Sequence, residues 1–232
     1  MSEDVKPRRK YDSRRRQAQA AQTRQDVLAA ARDVFLERGY VGTTMTAIAQ
    51  AAGVVVETIY RGFGGKAGLF RAVVEAAVAG GAERAQVAPE RRPAIQAVIA
   101  ETDPRRQIAR YVATQPGIHA RVAPLMRVLA GAAATDPDLA RVLLDMEDLR
   151  LAGMHGFAQL LADRGALRPD LSVEHARDIL WTVNSHAVYD QLVAQRGWPP
   201  EQYQAWLADA LTHALLAAPS DDGTGFGATS SS

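Results

Sequence analysis

The sequence predicts an all-α protein in two parts, a small N-terminal three-helix unit with a helix-turn-helix and a larger helical body behind it. Three observations lead there. Hydrophobic residues fill 47% of the 232 positions but aromatics only 6%, with alanine prominent throughout, a bias that favours helix. Apolar residues recur at spacings of three to four along most of the chain, the period of a buried helical face. No segment reads as a strand, and no repeat has a solenoid period.

Composition narrows the function classes. There is no cysteine, which excludes disulfides, thiolate metal sites and cysteine nucleophiles. No apolar run approaches the roughly 18 residues needed to span a bilayer, and the basic N-terminus has no apolar segment of a signal peptide behind it. A cytoplasmic chain without membrane association is expected. Net charge is +1 but uneven: residues 1–70 hold 12 Lys and Arg against 7 Asp and Glu, the remainder 15 against 19. A positive head on a slightly negative body suits a chain that presents one end to a polyanion.

Taken in order, residues 1–21 carry almost no large apolar side chains and are rich in arginine. They are expected to be a disordered basic arm. Such an arm either solubilises the chain or uses Arg14, Arg15 and Arg16 to track phosphates or enter a minor groove. From Gln22 a stripe of Val27, Leu28, Ala31, Val34, Phe35 and Leu36 predicts a first helix over 23–38, closed by Gly39. Thr44 offers a cap oxygen to a short second helix containing Met45, Ile48, Ala49 and Ala52, which Gly53 ends. A third helix begins almost at once with Thr58, Ile59, Tyr60 and Phe63, ended by Gly62, Gly64 and Gly65.

Two short helices joined by a tight glycine turn describe a helix-turn-helix. The small Ala49 at the crossing, Gly53 four residues later and Ile59 six after that fit it. On spacing alone, an ordinary helical hairpin in an alanine-rich protein also fits.

The stretch Val27 to Phe70, "VLAAARDVFLERGYVGTTMTAIAQAAGVVVETIYRGFGGKAGLF", resembles the tetracycline-repressor-like (TetR) transcriptional regulators. The residues that carry the likeness are Gly39 with Tyr40, Thr43 with Thr44, Ile48 with Ala49, Ala52 to Val54, Thr58 to Tyr60, Phe63, Lys66, and Leu69 with Phe70. They cover about one fifth of the chain. The resemblance implies that Thr44 and Lys66 contact phosphates and that Val55, Val56, Glu57, Thr58, Tyr60 and Arg61 face the major groove or its rims. Phe63, Ile48, Ile59 and Leu69 would then be core. It further implies a homodimer on a palindromic operator in double-stranded DNA, released by a small-molecule ligand, with repression the commoner behaviour and no cofactor.

One departure stands out. Val55 occupies a position where the family pattern has serine or a similar cap, and Val56 one that is often polar. A valine cannot accept the free amides of a helix start, at a cost of about 1 kcal/mol against serine. A DNA phosphate could cap the helix while a valine methyl packs on a thymine methyl. Alternatively Val55 packs inward, or the head reads weakly and the arm holds the DNA. Glu57 could accept from a cytosine amino group or simply favour the helix dipole.

Beyond Lys66 the chain reads as helical almost to its end; with the roles the resemblance implies, this gives a DNA-binding domain over 22–66, a ligand-binding and dimerisation domain over 67–218 and a disordered tail over 219–232. A link helix is expected over 66–86, with Gly80 and Gly81 fraying or kinking it. The two Thr-Asp-Pro segments, at 102–104 and 135–137, have the form of helix starts. The second opens a long helix closed by Gly165, and two more helices are expected over 172–196 and 200–218. That last pair carries Ile179, Leu180, Val183, Leu192, Trp206, Leu207, Leu211 and Leu215, which fits core packing within one chain; the resemblance implies instead a bundle with a twin across a two-fold axis.

No catalytic set is legible. The histidines at 119, 155, 175, 186 and 213 form no HExxH, no glutamate has a histidine three positions later, and phosphate-loop, dinucleotide and nucleophile-elbow motifs are missing. A non-enzyme without a metal site is expected. Tyr111, His119, Met126, Met146, Met154, His155, Trp181 and His186 lie where relatives of this type enclose a ligand cavity, and mix soft apolar with polar chemistry. Methionine and tryptophan filling core gaps would look the same. The alternative to a regulator is a helical ligand-binding or scaffold protein whose DNA binding is non-specific or lost.

Overall fold

The computed structural model describes residues 8–134 and 136–217, and every regular element in them is helical. α1 runs Arg8–Gly42, α2 Met45–Ala52, α3 Val56–Phe63 and α4 Lys66–Ala79. The body continues with α5 Ala82–Ala85, α6 Pro93–Ala100, α7 Pro104–Ala113, α8 Gln115–Ala133, α9 Pro137–Asp163, α10 Val173–Val183, α11 His186–Tyr189 and α12 Pro200–Leu215. No helix among the described residues is long and apolar enough to cross a membrane. The tail expected over 219–232 lies outside the described residues.

Three expectations are corrected. α1 begins at Arg8, not at Thr23, so residues 8–21 are helix rather than a disordered arm. Ala, Gln and Arg are strong helix formers, and nothing from Arg8 to Arg38 is glycine or proline to interrupt them. Residues 1–7 lie outside the described residues. The link helix stops at Ala79, because Gly80 takes a left-handed φ of 79° and turns its N–H back to the carbonyls of Ala76 and Ala77. The helix expected over 172–196 breaks at Asn184 and Ser185 and resumes as α11 and a π-helical run over Asp190–Gln195.

The capping logic otherwise holds. Asp103 accepts from Arg106 N with Pro104 at the first helical position, and Asp136 accepts from the amides of Asp138 and Leu139 ahead of α9. Ser172 and Ser185 cap α10 and α11 in the same way, through His175 N and Val188 N.

Two apolar clusters make the core, and α8 belongs to both. Val122, Leu125, Met126, Leu129 and Ala132 join α1 to α4, together with Leu139 of α9. Ala123 joins a second cluster of α6, α7, the far end of α9, α10, α11 and α12. The N-terminal unit therefore borrows part of its core from the body. Pro124 sits inside α8, where it withholds one backbone donor from the carbonyl of Ala120. Arg121, also on α8, donates from Nε to the carbonyl of Ala77 in the last turn of α4, at 2.8 Å. Arg71 on α4 pairs with Asp145 on α9.

Leu125 is fully buried on α8. Leu125→Ala is expected to cost about 2–5 kcal/mol of unfolding free energy, measured by urea denaturation, with loss of the near-UV signal of both halves in one transition.

Candidate nucleic-acid interface

An aromatic wedge holds the N-terminal unit together. Phe35 stacks on Tyr40 at 5.7 Å between centroids, and Phe70 meets both edge-on at 4.9 and 5.7 Å. Ile48 and Ile59 are fully buried where α2 and α3 cross. Gly39 has φ 67°, a non-helical kink inside α1 that turns its last residues back toward α2. The Thr43–Thr44 pair divides its labour: Thr43 is buried and donates to Gly39 O at 2.6 Å, while Thr44 is exposed and caps α2 by accepting from Ala47 N at 3.1 Å.

The turn between α2 and α3 resolves the three valines. Gly53 is left-handed, with φ 65°. Val54 packs partly into the core, and so does Val56. Val55 is the helix cap, extended at φ −82° and ψ 151°, with no side-chain hydrogen bond to the first turn and 64% of its surface exposed. The amide ends of α3 and an unshielded valine thus face outward together. Glu57, Tyr60 and Arg61 are exposed on the same short helix, Tyr60 by 51%, and Thr58 is half-buried.

Lys66 opens α4 behind Gly65, which makes no side-chain cap. Its ammonium lies 4.3 Å from the centre of the Tyr40 ring. Burial holds Lys66 below the ordinary lysine range, partly offset by the charge of Asp136. Burial, with Asp136 and Asp138 nearby, pushes Tyr40 up to about 12. Arg14, Arg15 and Arg16 sit on the exposed first turns of α1.

Two participants were not foreseen. Arg24 stacks over Phe63, the last residue of α3, at 4.5 Å, and so ties α1 to α3. Gly68 has no room for a side chain, since a Cβ there would meet the carbonyl oxygen of Phe63 at 2.1 Å. That contact sets how closely α4 follows α3.

The eight residues expected to line a pocket do not share one place. Tyr111 and His119 are buried and meet at Asn184: His119 Nε2 lies 2.9 Å from Asn184 Oδ1, and Asn184 Nδ2 donates to Tyr111 OH at 2.7 Å and to Gln115 Oε1 at 2.9 Å. Tyr111 OH in turn donates to Met154 Sδ at 3.2 Å. Met126 and Met146 belong instead to the cluster shared with the N-terminal unit. His155 is exposed, and Trp181 is surface-lying, with its indole N–H on Glu147 and the Arg150 guanidinium over its ring. His186 is half-buried and held below the ordinary histidine range, chiefly by burial. Asn184, Gln115, Tyr189 and Tyr203 complete the polar centre and were not anticipated. An Asn-Ser pair in an otherwise apolar helical stripe was the available signal. No group of three or more His, Asp or Glu among the described residues is placed to hold a metal ion.

Val55→Ser restores a side-chain acceptor at the α3 cap. It is expected to raise stability by about 1 kcal/mol in the absence of DNA, read as a higher urea midpoint. Burial holds His119 down to about 4, from 6.5. Between those values the unfolded chain takes up a proton that the folded chain refuses. Stability is therefore full above about pH 6.5 and falls by up to about 3 kcal/mol as pH drops toward 4. Urea titrations at several pH values should show this slope, reduced in His119→Gln.

Residues 27–73 match the model of the bacterial regulatory proteins of the tetR family. The HTH-type transcriptional repressor BepR of Brucella suis biovar 1 (strain 1330) is 46% identical over 61 residues, which cover 26% of this chain and 29% of that repressor's length. Similar folds extend much further. NalD, the secondary repressor of the MexAB-OprM multidrug efflux pump in Pseudomonas aeruginosa, superposes with a TM-score of 0.62 at 22% identity, over 84% of this chain and 96% of its own. The transcriptional regulator FadR of Bacillus subtilis, in complex with stearoyl-CoA, does so with 0.60 at 16%, over 82% and 97%. Residues 27–73 are thus a TetR-family helix-turn-helix segment, carried on a chain whose fold is that of TetR-family regulators.

Proposed function

We propose that the protein is a dimeric, ligand-responsive transcriptional regulator, acting as a repressor that leaves a palindromic operator when a small molecule binds. The observation that carries this reading is the outward face of α3, where Val55, Glu57, Tyr60 and Arg61 are exposed beside uncapped amides. In that reading Thr44 and Lys66 hold phosphates. Val55 contacts a thymine methyl rather than Val56, which is partly packed, and a phosphate takes the place of the missing cap. Arg14, Arg15 and Arg16 extend the phosphate contacts along a helical rather than a loose arm. Lys66 would exchange its ring contact with Tyr40 for a phosphate on binding.

The partition into a reading unit over 22–66 and a sensing and dimerising body is retained as part of the proposal. Leu207, Leu211 and Leu215 of α12 are consumed inside the chain's own core. The exposed Leu144, Leu149 and Trp181 on α9 and α10 are therefore the better candidates to meet a twin. Ligand binding in the body would shift α8, and through Arg121 the end of α4, changing the separation of the two reading helices from the 34–36 Å that successive major grooves require. Such a chain works in the cytoplasm and catalyses nothing. The relatives support this by name: one is a transcriptional repressor, and one was solved with a bound acyl-CoA.

The bare valine cap also favours a second reading, a helical ligand-binding protein whose DNA contact is non-specific. Selection from a random duplex pool at two salt concentrations separates the two. A palindrome enriched at moderate salt is expected, with Val55→Ala losing several-fold affinity only where a thymine is contacted. Lys66→Ala should weaken all sequences alike and lower the salt slope by about one. Binding without sequence preference that disappears with salt would leave the second reading standing.

A further inference from the structure

Resting on the ligand-responsive reading, we propose that His119 and Tyr203, with Asn184 fixing the His119 ring, form the recognition point for the effector. The molecule they accept is small, uncharged and ring-bearing, and it is held through one hydroxyl group.

Hydrogen-bond accounting leads there. Asn184 is almost fully buried, and its amide nitrogen donates to Tyr111 OH and Gln115 Oε1. Its oxygen therefore faces His119, and an oxygen only accepts. His119 Nε2 must carry the hydrogen, which leaves Nδ1 as a bare lone pair. That Nδ1 is buried and has no partner among the described residues. Tyr203 is fully buried, and its hydroxyl likewise has no partner among the described residues. The two rings are neighbours, edge to face at 6.0 Å between centroids, yet they are not bonded to each other. Two unmet buried polar atoms on adjacent rings are unusual, because each costs free energy until satisfied.

The pair has a definite complement. One atom can only accept and the other can donate. A single hydroxyl that takes the Tyr203 proton and gives its own to His119 satisfies both. Tyr189 stacks on His119 at 5.3 Å and meets Tyr203 edge-on at 5.0 Å, so the surroundings of that hydroxyl are aromatic faces and edges. Burial keeps His119 neutral at physiological pH, so the pair offers neither an ammonium nor a carboxylate ligand a counter-charge. These features favour a phenol-like molecule over an ionised one.

Entry and response both have a structural basis. The wall beside Asn184 is irregular, a four-residue helix followed by the π-helical run Asp190–Gln195, a geometry that is rare and recurs at functional sites. His119 and Arg121 lie two residues apart on α8 and so project to different sides of it. One reaches the body's centre, the other the last turn of α4.

The test uses the full chain and three probes of equal body: 4-ethylphenol, which donates and accepts, 4-ethylanisole, which only accepts, and ethylbenzene, which does neither. Calorimetry is expected to show 4-ethylphenol binding about tenfold or more tightly than the other two, the worth of one net hydrogen bond. In Tyr203→Phe, which removes only the unpaired hydroxyl and so should fold with equal or higher melting temperature, the preference should vanish. The 15N resonance of His119 Nδ1 should shift with 4-ethylphenol and not with ethylbenzene. Equal binding of all three, or no binding of any, overturns the proposal. So does a high-resolution crystal structure in which a water bridges His119 Nδ1 and Tyr203 OH and 4-ethylphenol does not displace it. Fluorescence anisotropy on the selected duplex separates the failures. Specific DNA binding with no phenol preference sinks this inference alone, whereas phenol preference without specific DNA binding sinks the regulator reading and leaves the site.

Discussion

The packing of α8 is the constraint on which the rest depends. One side of this helix completes the core of the N-terminal unit through Leu125 and Leu129, and another faces the buried polar centre of the body. A helix buried on more than one side cannot move without changing both neighbourhoods, because close-packed interiors resist partial displacement. The N-terminal unit is in that sense not a free module on a tether. Its core has a wall made of body residues, and Arg121 fastens the end of α4 to the same helix.

The polar centre follows from that arrangement. Asn184 interrupts what would otherwise be a continuous helix over 172–196, and the interruption aims its amide at three partners on α7 and α8. A break in an apolar helix removes backbone hydrogen bonds, and here those of the side chain offset the loss. Ser185 then restarts the helix as a cap. The two unmet atoms beside this network, on His119 and Tyr203, have no such compensation among the described residues.

How much was legible in the sequence varied with the range of the forces involved. Caps, glycine stops and apolar stripes are local, so the helices of the N-terminal unit and the starts at Asp103 and Asp136 could be read directly. The fate of the valines was readable only as a question, because whether Val55 or Val56 turns outward depends on the angle between α2 and α3. The length of α1 is not legible from apolar content for a different reason: its first turns have few large apolar residues, yet their Ala, Gln and Arg residues favour helix without a core to bury. The polar centre was half visible. Tyr111 and His119 suggested themselves by type, but Asn184 and Tyr203 come from more than 60 residues away in sequence, and no local pattern brings them to α8. Conversely His155 and Trp181, chosen by the same chemistry, face outward because α9 and α10 pack through other sides.

Pro124 gives α8 an internal division that matters for any signal it carries. Residues before the proline hold His119 and Arg121, and those after it hold Leu125 and Leu129. One rung of the backbone ladder is missing between them. A torque applied to the first segment reaches α4 through Arg121, on the same side of the proline, while part of it is taken up at the proline as a change of bend that spares the apolar contacts of the second segment. The helix can thus act as a jointed rod, stiff where it is built into the N-terminal unit and compliant where it meets the body.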